Sequence, residues 1–252
     1  MPILFANGCS FTCGTESTAV DQSYNLDIAW PRWLADHYGI ECVNIAEPGK
    51  GNVQISRSTI DWITTKIDLE GYNPTDLLVT ILWSGNERFE TWNSELDQHR
   101  SYHLNSALGR KGKRSPTEEL IKDYIIKSAL IYTGEYLEYN SLYHMFITAK
   151  FLEFYGIEYY FASSYQTIPI PADFKGTGNL KDMYNKLYTK YQPMANLHIG
   201  LHERNSMYWF YLKHIKHINC APYGEGVHYG EDGNRAWAER IIKQIDYNRK
   251  IK

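Results

Sequence analysis

The run Leu77-Leu78-Val79-Thr80-Ile81-Leu82-Trp83 decides how the rest of the chain is read. Its near-continuous apolar character is that of a central parallel strand covered on both faces, not of a strand with one face in water. Parallel strands need long crossovers, usually helices, between them. The residues upstream supply both parts. Ile3 to Ala6 reads as a short buried strand. Ala29 to His37 (AWPRWLADH) has helical spacing, with Trp30, Trp33 and Leu34 on one side, Pro31 near the start and Tyr38-Gly39 at the close. Glu41 to Ile45 (ECVNI) is a second strand, and Ala46 to Asn52 (AEPGKGN) a loop of turn formers. Val53 to Ile67 carries Ile55, Ile60, Ile63 and Ile67 at near-helical intervals. Strand, helix, strand, helix, strand is the signature of a parallel α/β sheet with right-handed crossovers.

Downstream the pattern is weaker. Residues 88–133 are polar and read as an insertion of loop and helix, its basic cluster Arg110-Lys111-Lys113-Arg114 a solvated face. Glu135 to Tyr155 reads as one long helix ended by Gly156, and Ile157 to Ala162 (IEYYFA) as a fourth strand. Residues 169–200 look loop-rich with mixed helix, and Asn205 to Ile215 helical and aromatic. Asn234 to Asn248 closes the chain as an amphipathic helix, with Ala236, Ala238, Ile241, Ile242 and Ile245 toward the sheet. The expectation is an α/β fold: a three-layer α/β/α sandwich with a mostly parallel central sheet. It forms one domain over residues 1–252, with insertions at about 88–133 and 169–200.

Composition narrows the function classes. The 252 residues are 43% hydrophobic and 22% charged, the balance of a soluble globule with a substantial core. A net charge of −3 offers no broad basic field for nucleic acid. No stretch approaches the roughly 20 apolar residues that cross a bilayer, and Met1-Pro2 runs into the first strand without the basic flank of a signal peptide. Cys9, Cys13, Cys42 and Cys220 lack zinc-type spacing and read as reduced thiols in a cytoplasmic protein. His198 and His202 are four apart, but Gly200 lies between them and no acidic partner stands at a set spacing, which argues against a metal pair. The 21 Tyr and 7 Trp suit core first, then an oligomer surface or a platform for sugars, so a homo-oligomer stays open.

In doubly wound folds, functional residues gather at the carboxyl ends of strands. Four such segments stand out: Gly8-Cys9-Ser10-Phe11-Thr12, Asn44 to Asn52, Ser84-Gly85-Asn86-Glu87, and Glu225-Gly226-Val227-His228. Each has a bland reading. Ser10 suits a helix cap, Gly49 and Asn86 suit turns, and His228 suits a satisfied loop histidine. Together and in this order they resemble the four blocks of the SGNH (GDSL-like) hydrolases. Asn44-x-Ala46-x-Pro48-Gly49-x-Gly51-Asn52 is the most specific match.

The resemblance implies roles. Ser10 would be the nucleophile, His228 the base that takes its proton, and Glu225 the carboxylate that orients the imidazole. The backbone N–H groups of Ser10 and Gly49 and the side-chain amide of Asn86 would form the oxyanion hole. The chain departs from the family at two positions, with Cys9 and Glu225 where aspartates are usual. Cys9 should point away from the cleft if Ser10 points in, because neighbouring side chains on an extended segment diverge. The implied activity is hydrolysis of a small-molecule or carbohydrate ester, an O-acetyl sugar for example, with no metal or cofactor. The two insertions would form the substrate lid. An O-acyltransferase using the same site, a non-catalytic carbohydrate-binding module and a structural module of a virus particle are the alternatives.

Overall fold

The computed structural model describes residues 2–15, 25–103, 115–164, 168–199, 206–214 and 229–251. Seven strands occur among them: β1 (Ile3–Gly8), β2 (Glu41–Asn44), β3 (Leu77–Trp83), β4 (Arg88–Asn93), β5 (Gln98–His103), β6 (Glu158–Ser163) and β7 (His198–Ile199). Five of them form one sheet in the order β2-β1-β3-β6-β7 with every pairing parallel. The apolar run is the middle strand of that sheet, as its composition demands. The strand order reverses between β1 and β3, so the crevice where doubly wound folds bind ligands lies at their carboxyl ends.

The helices begin and end where local chemistry requires. Helix α1 (Trp30–Tyr38) has Pro31 in its first turn and stops at Gly39, whose φ of 63° is left-handed. Helix α2 (Asn52–Thr64) runs into a π turn over Thr65–Leu69. Helix α3 (Pro116–Ile131) opens on a capping box between Ser115 and Glu118. Helix α4 (Gly134–Phe154) is capped by the Thr133 hydroxyl, which accepts from the Tyr136 N–H. Helices α5 (Gly178–Tyr191), α6 (Met207–His214) and α7 (Glu231–Ile251) complete the described set.

Alternate side chains of each strand face opposite layers. Ile3, Phe5, Val79, Ile81, Trp83, Tyr159 and Phe161 pack with Ile55 and Ile63 of α2, Leu142 and Met145 of α4 and Tyr184 of α5. Leu4, Leu78, Leu82, Tyr160 and Ala162 pack with Trp30 and Leu34 of α1, Tyr211 of α6 and Trp237 and Ile241 of α7. The result is the expected three-layer α/β/α arrangement. Burying each large apolar side chain stabilises it by about 1.5–3 kcal/mol.

The structure departs from expectation in three places. Strand β1 continues two residues past Ala6, through Gly8. Residues 88–133 hold more than loop and helix, because β4 and β5 pair antiparallel with Phe89 opposite Tyr102. This ribbon and α3 share only a small cluster around Phe89, Ile121 and Ile125, too few apolar positions to set a readable period. Residues 169–200 supply a 14-residue helix, α5, and the strand β7. The tyrosines of α5 hid its apolar stripe: Tyr184, Leu187, Tyr188 and Tyr191 all face the core.

Candidate active site

The end of β1 lies unusually close to β3. A Cβ on Gly8 would come within 2.8 Å of the Leu82 carbonyl oxygen, so glycine is needed there. The chain then turns tightly: the N–H groups of Thr12 and Cys13 both donate to the Cys9 carbonyl, at 2.8 and 3.3 Å. Ser10 caps no described helix. Residues 11–14 are turns, and the next helix among the described residues is α1. The expected cap role is therefore corrected: the turn closes on backbone bonds, and the Ser10 side chain lines a small recess with Phe11, Gly14, Thr15, Met207, Tyr229 and Asn234. Cys9 is sealed in the α1/α7 layer, and Ser10 beside it is 7% exposed.

The second loop is tied to the first. Asn44 Nδ2 donates to the Thr12 carbonyl at 2.8 Å, and the Glu47 N–H reaches the Gly8 carbonyl at 3.4 Å. Gly49 is exposed with a φ of 87°, and a Cβ there would meet nothing within 4 Å. Lys50 is its opposite, with a buried side chain. Its Nζ donates to the Ile45 carbonyl at 2.6 Å and stands 3.5 Å from Glu47 Oε1. Burial pulls the Lys50 ammonium below its ordinary pKa, against the pull of Glu47.

The third loop is tied to the second by Asn52, the first residue of α2. Its Oδ1 accepts from the Ser84 N–H at 2.8 Å, and its Nδ2 donates to the Ser84 carbonyl at 3.2 Å and to Ser141 Oγ at 3.0 Å. Asn86 follows in the half-buried turn between β3 and β4. The segments carrying Ser10, Gly49 and Asn86 thus meet at one edge of the sheet, joined by asparagine side chains that both donate and accept.

Glu225 and His228 lie outside the described residues, as do Cys220 and His202. Tyr229, next in the chain, is described. Asn234 holds it: Nδ2 donates to the carbonyls of Tyr229 and Gly230 at 2.8 and 3.1 Å, and Oδ1 accepts from the Trp30 N–H at 3.2 Å.

Two other expectations bear on the chemistry. Cys13 lies 3.1 Å from Thr15 Oγ1, and burial pushes its thiol up from 9.0 to about 11, far from a thiolate at neutral pH. His198 is committed on both ring nitrogens, Nε2 to Ser163 Oγ at 2.9 Å and Nδ1 to Tyr191 OH at 2.8 Å. Among the described residues no group of three His, Cys, Asp or Glu could hold a metal, and no helix is long and apolar enough to cross a membrane.

Several supporting residues went unread in the sequence. Asn52 and Asn234 carried a weak signal as parts of the blocks, whereas the part Lys50 plays had none.

Residues 15–169 match the model of DUF6071, a family of unknown function. The chain belongs to DUF6071. The span matched to DUF6071 takes in Gly49 and Asn86 and leaves out Ser10, Glu225 and His228. No curated protein matches the chain. Among solved structures it is similar to the YXIM protein of Bacillus subtilis, with 10% identity, a TM-score of 0.50, and coverage of 98% of this chain and 56% of that one. That likeness shows the fold alone. The psychrotrophic esterase EstA from Pseudoalteromonas sp. also matches, at 12% identity and a TM-score of 0.49, covering 99% of this chain and 100% of that one. So does a member of the lipolytic protein G-D-S-L family from Veillonella parvula, at 14% identity and a TM-score of 0.47, covering 96% and 97%.

Proposed function

We propose that the protein is an SGNH-type serine esterase that hydrolyses a carboxylic ester. The observation that carries this reading is the convergence of the Ser10 turn, the Gly49 loop and the Asn86 turn at the carboxyl edge of β1, β2 and β3, cross-linked through Asn44 and Asn52. Ser10 Oγ attacks the acyl carbon as His228 takes its proton. Glu225 bonds the far ring nitrogen and stabilises the imidazolium. The oxyanion is held by the N–H groups of Ser10 and Gly49 and by Asn86 Nδ2, and such donors work best when their direction is set before the charge develops. Collapse expels the alcohol, which receives its proton from His228. Water then attacks the acyl-Ser10 with His228 again as base, releasing the acid and the free serine.

Tyr229, the residue after His228 in the sequence, borders the recess that Ser10 lines. The substrate class that fits best is a small acyl ester, such as an O-acetyl group on a sugar. Exposed aromatic rings at Trp92, Tyr132 and Tyr136 favour a carbohydrate on the side of the ribbon.

The experiment is turnover of p-nitrophenyl acetate by the wild type and by Ser10→Ala, with fluorophosphonate labelling mapped to a peptide. The expected result is Ser10-dependent turnover and a label on Ser10. Equal rates in the two proteins would overturn the reading.

A further inference from the structure

We propose that the β4–β5 ribbon is a buttress for the glycine loop rather than a lid, and that Arg88 is a positioning residue for the Gly49 N–H. The inference rests on the esterase reading above.

Its ground is a set of contacts made by the ribbon to the residues just after Gly49. Arg88 Nη1 donates to the Lys50 carbonyl at 2.6 Å. Ser101 Oγ accepts the Gly51 N–H at 2.8 Å and donates to Gln54 Oε1 at 2.8 Å. Gln54 Nε2 in turn donates to the His99 carbonyl at 3.2 Å, and Arg57 Nη2 meets Glu90 Oε1 at 2.6 Å. The backbones also approach closely, because a Cβ on Gly51 would come within 2.8 Å of Arg88 Cβ. From the other side, the Lys50 ammonium folds back onto the Ile45 carbonyl. Residues 45 to 51 are therefore fastened within the loop by Lys50 and from outside by the ribbon.

Gly49 is the one soft joint in that span, exposed, left-handed and without a side chain to hold it. A donor that stabilises an oxyanion works only if its direction is set before the charge develops. The Arg88 bond is charge-assisted, of the stronger kind. It anchors the peptide that follows Gly49, which leaves the glycine little room to swing its own N–H away. The lysine and the arginine do not touch the acyl group; they act through the loop.

The test compares the wild type with Arg88→Gln, Arg88→Lys and Ser101→Ala, measuring kcat and KM for p-nitrophenyl acetate. Backbone hydrogen exchange over residues 45–52 and thermal melting are followed in parallel. Arg88→Gln is expected to lower kcat about 10- to 100-fold, since small misplacements at a reacting centre have effects of that order. KM should stay within about twofold, and Arg88→Lys should recover part of kcat. Amides of 49–51 should exchange faster while those of β1 and β3 do not. Unchanged kcat in Arg88→Gln, in a protein that Ser10→Ala inactivates, would overturn the positioning role. Unchanged exchange would overturn the buttress. A wild type without Ser10-dependent turnover would sink the esterase reading and the catalytic half of this one, while faster exchange in Arg88→Gln would still uphold the buttress.

Discussion

Ser10 and Ser163 both stand at the carboxyl ends of parallel strands in this molecule, and they keep different company. Ser163 ends β6, paired with Trp83 of β3, and its Oγ lies 2.9 Å from His198 Nε2. The other ring nitrogen lies 2.8 Å from the Tyr191 hydroxyl. On distances alone this Ser-His-Tyr chain resembles a triad more closely than anything described around Ser10. Yet Ser163 is 1% exposed, and His198 and Tyr191 are buried with it. Burial drives the Tyr191 phenol well above its ordinary pKa, so it stays neutral and cannot balance an imidazolium as a carboxylate does. Ser10, 7% exposed, instead borders a narrow recess, on a turn held by bonds from the loop after β2. A hydrogen-bonded serine and histidine make a working pair only where substrate can arrive and a charge can be met. The Ser163 chain satisfies buried polar groups between β6, β7 and α5, which is a structural task.

The sharpest way to break this contrast is to remove each hydroxyl. Ser10→Ala should lower p-nitrophenyl acetate turnover by roughly 10⁴-fold or more, as loss of a nucleophile does. Ser163→Ala should leave kcat within about twofold; the reverse pattern would exchange the roles of the two sites. Next in size is stability. His198→Ala strands two buried hydroxyls and opens a cavity, so urea unfolding should show a loss of about 3 kcal/mol with little change in kcat per folded molecule. Asn234→Ala should cost about 2 kcal/mol by the same assay. Because Asn234 holds Tyr229 and Gly230, it should lower kcat as well, which His198→Ala should not.

The smallest effect concerns pH. Cys13 has a folded-state pKa of about 11, raised from 9.0, so the folded protein favours the neutral thiol. Its contribution to stability is therefore complete below pH 9 and is lost as the pH rises toward 11. Iodoacetamide at pH 8 should modify Cys13 slowly in the native protein and at an ordinary rate in urea. Equal rates would mean the Ser10 turn is more open than described.

Much of this architecture was legible. Leu77 to Trp83 announced the central strand because a strand covered on both faces must be apolar throughout, and Pro31 and Gly39 bracketed α1 for steric reasons. The β4–β5 ribbon was illegible because it rests on the loops and on α2 through polar bonds, which leave no period in the sequence. The same limit applies to the site. Ser10, Gly49 and Asn86 could be picked out as block members, but the cap expected of Ser10 gave way to a backbone turn. Arg88 meets Lys50 across 38 positions, and no local pattern encodes such a contact. Asn52 was visible as a residue while its grip on Ser84 was not.

The placement of the indoles has an optical consequence. Trp30, Trp83 and Trp237 are three of the chain's seven tryptophans, and all three are sealed from water. Trp83 belongs to the layer of α2, α4 and α5, edge-on to Phe161, whereas Trp30 and Trp237 belong to the layer of α1 and α7. Emission from the folded protein should be blue-shifted, and each side of the sheet carries its own intrinsic reporter. Replacing Trp83 and Trp62, the partly buried indole of the same layer, with phenylalanine would remove the reporters of that side and leave Trp30, Trp33 and Trp237 to signal for the other, so that the two layers could be watched coming apart separately or together.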